Sequence, residues 1–538
     1  MKNAKRRSGV RPLASMFALA ASAALVLSGC VAQQSPEQSG GDGTLKVGMT
    51  IAPSTLDTAS FCTAQDQSLL RQIYVQLLQN GSKEGENGPE VDPSTAEPYL
   101  AESFDVSDDG LVYTFQLNDG WVFPSGEPMD AEAVKYSLDR VNAVNGCPAA
   151  MINDLYLDPF LIQEVKVVDP LTVEIQLSRV DPNFPLAMAG TAASIVDPSL
   201  IEANGGVVEG TPNEWLASNS AGSGPFLLES YEPGVSAVLV RNEDFQGEAP
   251  ASERIEISWI KSDSSMLMQV QEGSLDVALG LSKQSANSLE SDDSKKVIAG
   301  SGTLNMQLLT PMDTAPWDNV KVREAVTHAV PYEDIVSNVL FGYGELYYGP
   351  IPPTMVGFSE EDSAPRTYDM DLAKQLIEES GLETPVNVKL DIISGDAAQQ
   401  SIATILQDSL GELGINLEVQ VLSESAWGDA VYGGTTQAAL RLDGPAVFNA
   451  GYYLQYDENC DSPHNTGRVC VPANRQLLEQ ARSAGSVEEA NGFYAQLTQN
   501  WVAESPKTIL YLDQEAVVTG DDVTYFWDPF VDMRTWKK

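Results

Sequence analysis

Residues 100–140 read LAESFDVSDDGLVYTFQLNDGWVFPSGEPMDAEAVKYSLDR, and almost every position in that run is committed to one backbone shape. Tyr113, Phe115 and Leu117 alternate with Val112, Thr114 and Gln116, the period-2 pattern of a strand with one buried and one wet face. Asp108-Asp109-Gly110 precedes it and Asn118-Asp119-Gly120 follows it; these residue types tolerate the left-handed backbone of tight turns. A second short strand is expected at 121–123, ending in Pro124-Ser125-Gly126. Asp130 then stands where a carboxylate can accept the free amides of a helix's first turn, and Val134, Leu138 and Val141 give that helix one apolar stripe. Physically this is an α+β unit.

The N-terminus carries a different signal. Lys2, Lys5, Arg6, Arg7 and Arg11 form a basic cluster, residues 13–27 are an apolar run, and Leu27-Ser28-Gly29-Cys30 fits a lipobox. Fifteen apolar residues are too few to span a bilayer, so residues 1–29 read as a lipoprotein signal cleaved before a lipidated Cys30. The Gln-, Ser- and Gly-rich stretch 30–43 has the composition of a flexible tether. Removing the five basic residues of the leader leaves 26 basic against 76 acidic side chains, a formal charge of −50. That balance excludes nucleic acid as a partner. It leaves two readings, a solvated acidic surface or attraction of cationic ligands.

Four cysteines remain: Cys62, Cys147, Cys460 and Cys470. An even number in an exported chain suggests two disulfides with three possible connectivities. The ten-residue spacing in a loop rich in Asp, Pro, Asn and Gly favours a Cys460–Cys470 clip, which leaves Cys62 for Cys147. With only His328 and His464, and no Cys-x-x-Cys, a zinc site is not expected. No cofactor is implied. Enzyme signatures are missing too: there is no Gly-x-Ser-x-Gly, no His-Glu-x-x-His and no Walker loop. Gly222-Ser223-Gly224-Pro225 reads as structural rather than as a phosphate cradle, because Pro225 removes an amide such a cradle needs.

Along the rest of the chain, strands are expected at 45–49, 255–260, 386–393, 415–421 and 507–518, and a hairpin at 165–177 about Asp169-Pro170. Helices are expected at 67–78, after a cap at Asp263, at 368–381 with Gly381 as its stop, and at 401–413. Residues 80–98, polar and rich in Gly and Pro, read as a loop. Strands alternating with helices are the raw material of α/β lobes.

The run 100–126 resembles the family-5 solute-binding proteins of ABC importers, which carry L-A-E-S-[WF]-x-V-S-x-D-G-L-x-Y-T-F-x-L-x-x-G and then a Phe…Gly-x-Pro turn. The chain departs from that pattern at Pro124-Ser125 and at Asp130. Further likenesses are Thr55-Leu56-Asp57, Gly222-Ser223-Gly224-Pro225-Phe226, Arg241-Asn242-Glu243-Asp244-Phe245, Gly273-Ser274-Leu275-Asp276 and Trp317 to Ala325. The resemblance implies a two-lobed, periplasmic-binding-protein-like α/β fold (class II, cluster C type) with an extra α+β subdomain. Its division would be 44–80, 191–300 and 507–538 for lobe I, 81–190 for the extra subdomain and 301–506 for lobe II. It also implies a monomer held by Cys30 on the extracellular face of the membrane, capturing a peptide and delivering it to a permease and its ATPase.

The site residues follow from the same resemblance. Ala439-Leu440-Arg441-Leu442-Asp443-Gly444 aligns with the segment whose carboxylate pairs with the ligand's α-ammonium, which puts Asp443 in that role and Leu440 and Arg441 beside it. Starting the turn at Gly444 is the alternative role for Asp443. Leu440 replaces a tryptophan of the family, so one aromatic wall is lost; Trp427 offers another, or else packs in the core. Phe61 and Thr63 fall on a segment that lines the cleft. Where dipeptide receptors hold the ligand's carboxylate with an Arg, this chain has Ser394-Gly395-Asp396, which favours longer peptides or a non-peptide cation. Nickel complexes, opines, oligosaccharides, a sensor role and a glycan hydrolase are the competing readings.

Overall fold

Two long strands, Lys295–Leu309 and Lys507–Gly520, run antiparallel from Lys295 opposite Gly520 to Leu309 opposite Lys507, with the ladder interrupted between Ser301 and Asn305. In this computed structural model, which describes residues 43–85, 88–153, 159–444, 449–460, 462 and 464–538, the pair is the spine of one continuous mixed sheet. The leader, Cys30 and the tether short of Gly43 lie outside the described residues. On one side of the interruption Val277–Leu279 joins the spine, followed by Thr44–Met49, Arg254–Trp259, Ser236–Arg241 and Phe226–Glu232. On the other side come Ala438–Asp443, Val386–Ile393 and Ile415–Leu422. Each half has its own core: Leu45, Val47, Ile255 and Val277 belong to one cluster, and Leu308, Leu390, Leu406 and Leu440 to the other. The molecule is therefore two-lobed, and the spine strands are shared by both lobes.

Apart from 121–123, the described residues of the unit 100–177 are built as their pattern predicts. Ala101–Val106, Val112–Leu117, Thr172–Leu177 and Ile162–Asp169 form a four-stranded antiparallel sheet in that order. Tyr113, Phe115 and Leu117 are buried on one face, against Val134, Leu138 and Val141 of the helix Ala131–Val144. Asp130 caps that helix, accepting the amides of Glu132 and Ala133 at 3.1 Å each. No strand forms at 121–123; Val122 makes a single bridge to Pro128.

Three other expectations are corrected. The helix read at 67–78 runs instead from Ala64 to Ile73, and Tyr74 is already extended. The stop comes from far along the chain: Gly224 donates to the carbonyl of Ile73 at 3.1 Å, the amide of Ala221 reaches the Tyr74 hydroxyl, and a Cβ on Gly222 would lie 2.1 Å from the Ile73 oxygen. The Gly222-Ser223-Gly224 motif is thus a close backbone approach that only glycine allows. Residues 80–98 are not a loop but part of a two-stranded ribbon, Leu78–Gly85 with Gly88–Pro98. The cap after Arg254–Trp259 is Ser262, and Asp263 opens the helix while accepting from Ser282 and Ser285.

Candidate functional site

Alternation along Ala438–Asp443 sends its side chains to opposite faces. Leu440 is fully buried in the second-lobe core, whereas Ala439, Arg441 and Asp443 share the other face. Trp427, on the helix Glu424–Tyr432, packs there with Leu309, Val431 and Ala439, buried and with its indole N–H unpartnered.

Arg441 is the centre of a buried ion cluster. One arm, Nη1, donates to Asp457 Oδ1 at 2.9 Å and to Thr466 Oγ1 at 2.8 Å; the other, Nη2, donates to Asp443 Oδ1 at 2.7 Å. Tyr453 donates its hydroxyl to Asp443 Oδ2 at 3.2 Å. Asp457 is also bonded by Lys507, which stands 2.9 Å from Glu458 Oε1, and Glu458 Oε2 accepts from the Trp501 indole at 3.0 Å. Among the described residues, three carboxylates therefore share two cations. Four of the five side chains are between 1% and 8% exposed, and Asp443 is the most open at 11%.

The electrostatics follow from that arrangement. Burial pushes the Asp443 carboxyl up, with Arg441 pulling the other way. Burial would raise Asp457 as well, but Lys507 and Arg441 outweigh it and hold it below the usual carboxylate range. Glu458 is pushed up to about 7 by burial, Lys507 opposing. With all five groups charged the cluster carries one excess negative charge.

The remaining expected residues lie elsewhere. Phe61 is fully buried in the first-lobe core. Thr63 caps the helix Ala64–Ile73 in a reciprocal box with Asp66, so its hydroxyl is engaged by its own chain. Both anticipated disulfides are present, Cys62–Cys147 and Cys460–Cys470. The second closes the loop that carries Thr466, the hydroxyl partner of Arg441. His328 is packed, its Nδ1 3.1 Å from the carbonyl of Thr367. A cleft of about 730 Å³ opens beside the spine, bounded by Ser301, Gln514, Trp527 and Phe358. Tyr453, Asp457, Glu458 and Lys507 were not anticipated; for the two acids the signal available was their pairing at the end of the helix Ala450–Asp457 and its cap Glu458, and for Lys507 there was none.

Residues 95–464 match the bacterial extracellular solute-binding proteins, family 5 Middle. The Escherichia coli K12 protein named Probable D,D-dipeptide-binding periplasmic protein DdpA is 28% identical over 439 residues, 81% of this chain and 80% of its own length. Glutathione-binding protein GsiB of the same strain is 25% identical over 448 residues, 80% of this chain and 83% of its own. Among solved structures, the periplasmic binding protein DppA of Helicobacter pylori in complex with the peptide STSA superposes with a TM-score of 0.74 at 20% identity, covering 92% of this chain and 98% of that one. The chain belongs to the bacterial extracellular solute-binding proteins of family 5. Among the described residues no helix is long and apolar enough to cross a membrane.

Proposed function

We propose that the chain is the substrate-capturing lipoprotein of an ABC importer, which encloses a peptide between its lobes with the ligand's amino terminus at Asp443. The observation that carries this reading is the cluster of three carboxylates and two cations, most open at Asp443. Once Glu458, pushed up to about 7, is ionised, the buried group is one cation short, which is costly, and a ligand ammonium supplies the missing charge at its most accessible member. Arg441 and Tyr453 each use one direction on the Asp443 oxygens, and a carboxylate has about four acceptor sites, so room remains. The names of DdpA and GsiB and the peptide bound to the DppA structure support a peptide rather than a sugar. Capture would close the lobes about the shared spine. Cys30 would hold the protein as a monomer on the extracellular face, near the permease and ATPase that receive the ligand.

The test is calorimetric titration of di- to tetrapeptides. Charge-assisted hydrogen bonds contribute roughly 1.5–3 kcal/mol each, so Asp443→Asn is expected to weaken binding at least about tenfold. N-acetylation of the peptide should cost wild type as much. Titration curves unchanged by either would overturn the assignment.

A further inference from the structure

The helix Ala64–Ile73 turns Gln67 and Arg71 toward a cavity of about 50 Å³. Most of its wall is apolar, including Met151, Leu186, Ala192 and Phe530. Asn449 also lines it. That residue caps the helix Ala450–Asp457, which carries Tyr453, so it lies about 6 Å along the helix axis from the residue that hydrogen-bonds Asp443. The cavity thus borders the same segment as the amine site, with first-lobe residues making up the rest of its lining.

Two buried polar atoms on this wall have no hydrogen-bond partner among the described residues, Arg71 Nε and Thr191 Oγ1, and Thr191 is fully buried. The guanidinium donates only a long bond, from Nη1 to Asn80 Oδ1 at 3.4 Å, and lies over the Phe530 ring at 4.4 Å. The acids near it are committed elsewhere: Asp532 to Arg534, and Asp528 to the amides of Phe530 and Asp532. Burial works against the Arg71 charge, Asp528 and Asp532 for it, yet a guanidinium does not give up its proton in a protein. A permanent cation with unspent donors in an apolar cavity is the arrangement that a planar anion completes.

We propose that Arg71 and Thr191 hold the terminal carboxylate of the bound peptide, which the cavity of about 50 Å³ has room to admit. The proposal rests on the peptide reading and adds its other end. It moves carboxylate recognition to a first-lobe helix, in a chain whose 394–396 loop is Ser-Gly-Asp. The ligand is then a short zwitterionic peptide, gripped at its amine by one lobe and at its carboxylate by the other.

The experiment titrates the full chain with a short peptide ending in Leu, as free acid and as C-terminal amide. Wild type is expected to bind the acid at least tenfold more tightly. Arg71→Met should abolish that difference by weakening only the acid, and Asp443→Asn should weaken acid and amide alike. If wild type binds both forms equally, the carboxylate site is wrong while the peptide reading stands. Should wild type bind neither form, both fall. Thermal melts check that Arg71→Met folds; if it does not, Thr191→Val replaces it, with the acid-over-amide preference expected to narrow at least threefold. A preference that survives the folded variant intact overturns the assignment.

Discussion

Each lobe buries an ion cluster, and the two are built to different ends. In the first, Arg140 faces Asp57 with both Nη atoms 2.8 Å from a carboxylate oxygen, and both side chains are at most 1% exposed. Asp57 also accepts the amides of Ala59 and Asn213 at 2.9 Å each. One acid meets one base, so the charges balance, although Arg140 Nε has no hydrogen-bond partner among the described residues. In the second lobe three acids share two bases, and the member at the end of the strand, Asp443, is the most open. A balanced, sealed pair tethers the helix Ala131–Val144 to the segment after Thr44–Met49, which is a structural task. An unbalanced cluster with an accessible end is arranged to receive a charge. Burial alone would not separate the two; stoichiometry and access do.

The largest effect should therefore come from the balanced pair. Asp57→Asn leaves a buried guanidinium without its counter-charge, and losses of about 3–5 kcal/mol are usual for such a break. Urea unfolding should show that loss, while peptide affinity of the folded fraction stays within twofold of wild type. Asp443→Asn should do the reverse, with affinity falling and the unfolding midpoint little changed, because Arg441 keeps Asp457 and Thr466. If Asp57→Asn costs less than about 1 kcal/mol, the sealed pair is not the structural tie described here.

The next effect is a pH slope from the unbalanced cluster. Glu458 is pushed up from 4.5 to about 7 by burial. Between those values the folded chain keeps a proton that the unfolded chain has lost, so stability falls as pH rises through the window and levels off above it. The slope attributable to Glu458 should be on the order of 1 kcal/mol per pH unit. Comparing wild type with Glu458→Gln between pH 5 and 8 isolates it, because Asp528, also pushed up by burial, to about 6, is common to both proteins. Parallel stability curves for the two proteins would show that Glu458 does not keep its proton in the folded chain.

Local chemistry in this chain was legible and remote chemistry was not. The Asp130 cap, the buried Tyr113-Phe115-Leu117 face and the Gly381 stop each depend on residues within a turn or two. The end of the first helix depends on Gly222 and Gly224, about 150 positions away, and no local signal marks it. The ribbon 78–98 hid behind Pro and Gly because its register shifts between Asn80 and Gly81, which breaks the alternation a strand shows in sequence. At the site, the family pattern singled out Asp443. Its setting stayed hidden, since Lys507 lies 50 positions from Asp457 and Arg140 lies 83 from Asp57. Arg71 had one readable mark, a basic residue four positions after Gln67 on a helix whose other face is apolar, in a strongly acidic chain.

The smallest effect distinguishes the two disulfides along the same line. Cys62–Cys147 spans 85 positions and Cys460–Cys470 spans 10, so loop-closure entropy assigns them about 4–5 and about 3 kcal/mol of stability respectively. Binding should rank them the other way. The short clip closes the loop bearing Thr466, whose hydroxyl holds Arg441 in line with Asp443; the long one borders Thr63, which is occupied in capping its own helix. Replacing Cys460 and Cys470 by Ser should weaken peptide binding about fivefold, close to the net worth of one hydrogen bond at ~1 kcal/mol. The Cys62/Cys147 double variant should melt lower and bind as wild type does. Equal affinity in both variants would mean that Arg441 is held by Asp457 alone, and that the clip guards the loop without steering the carboxylate.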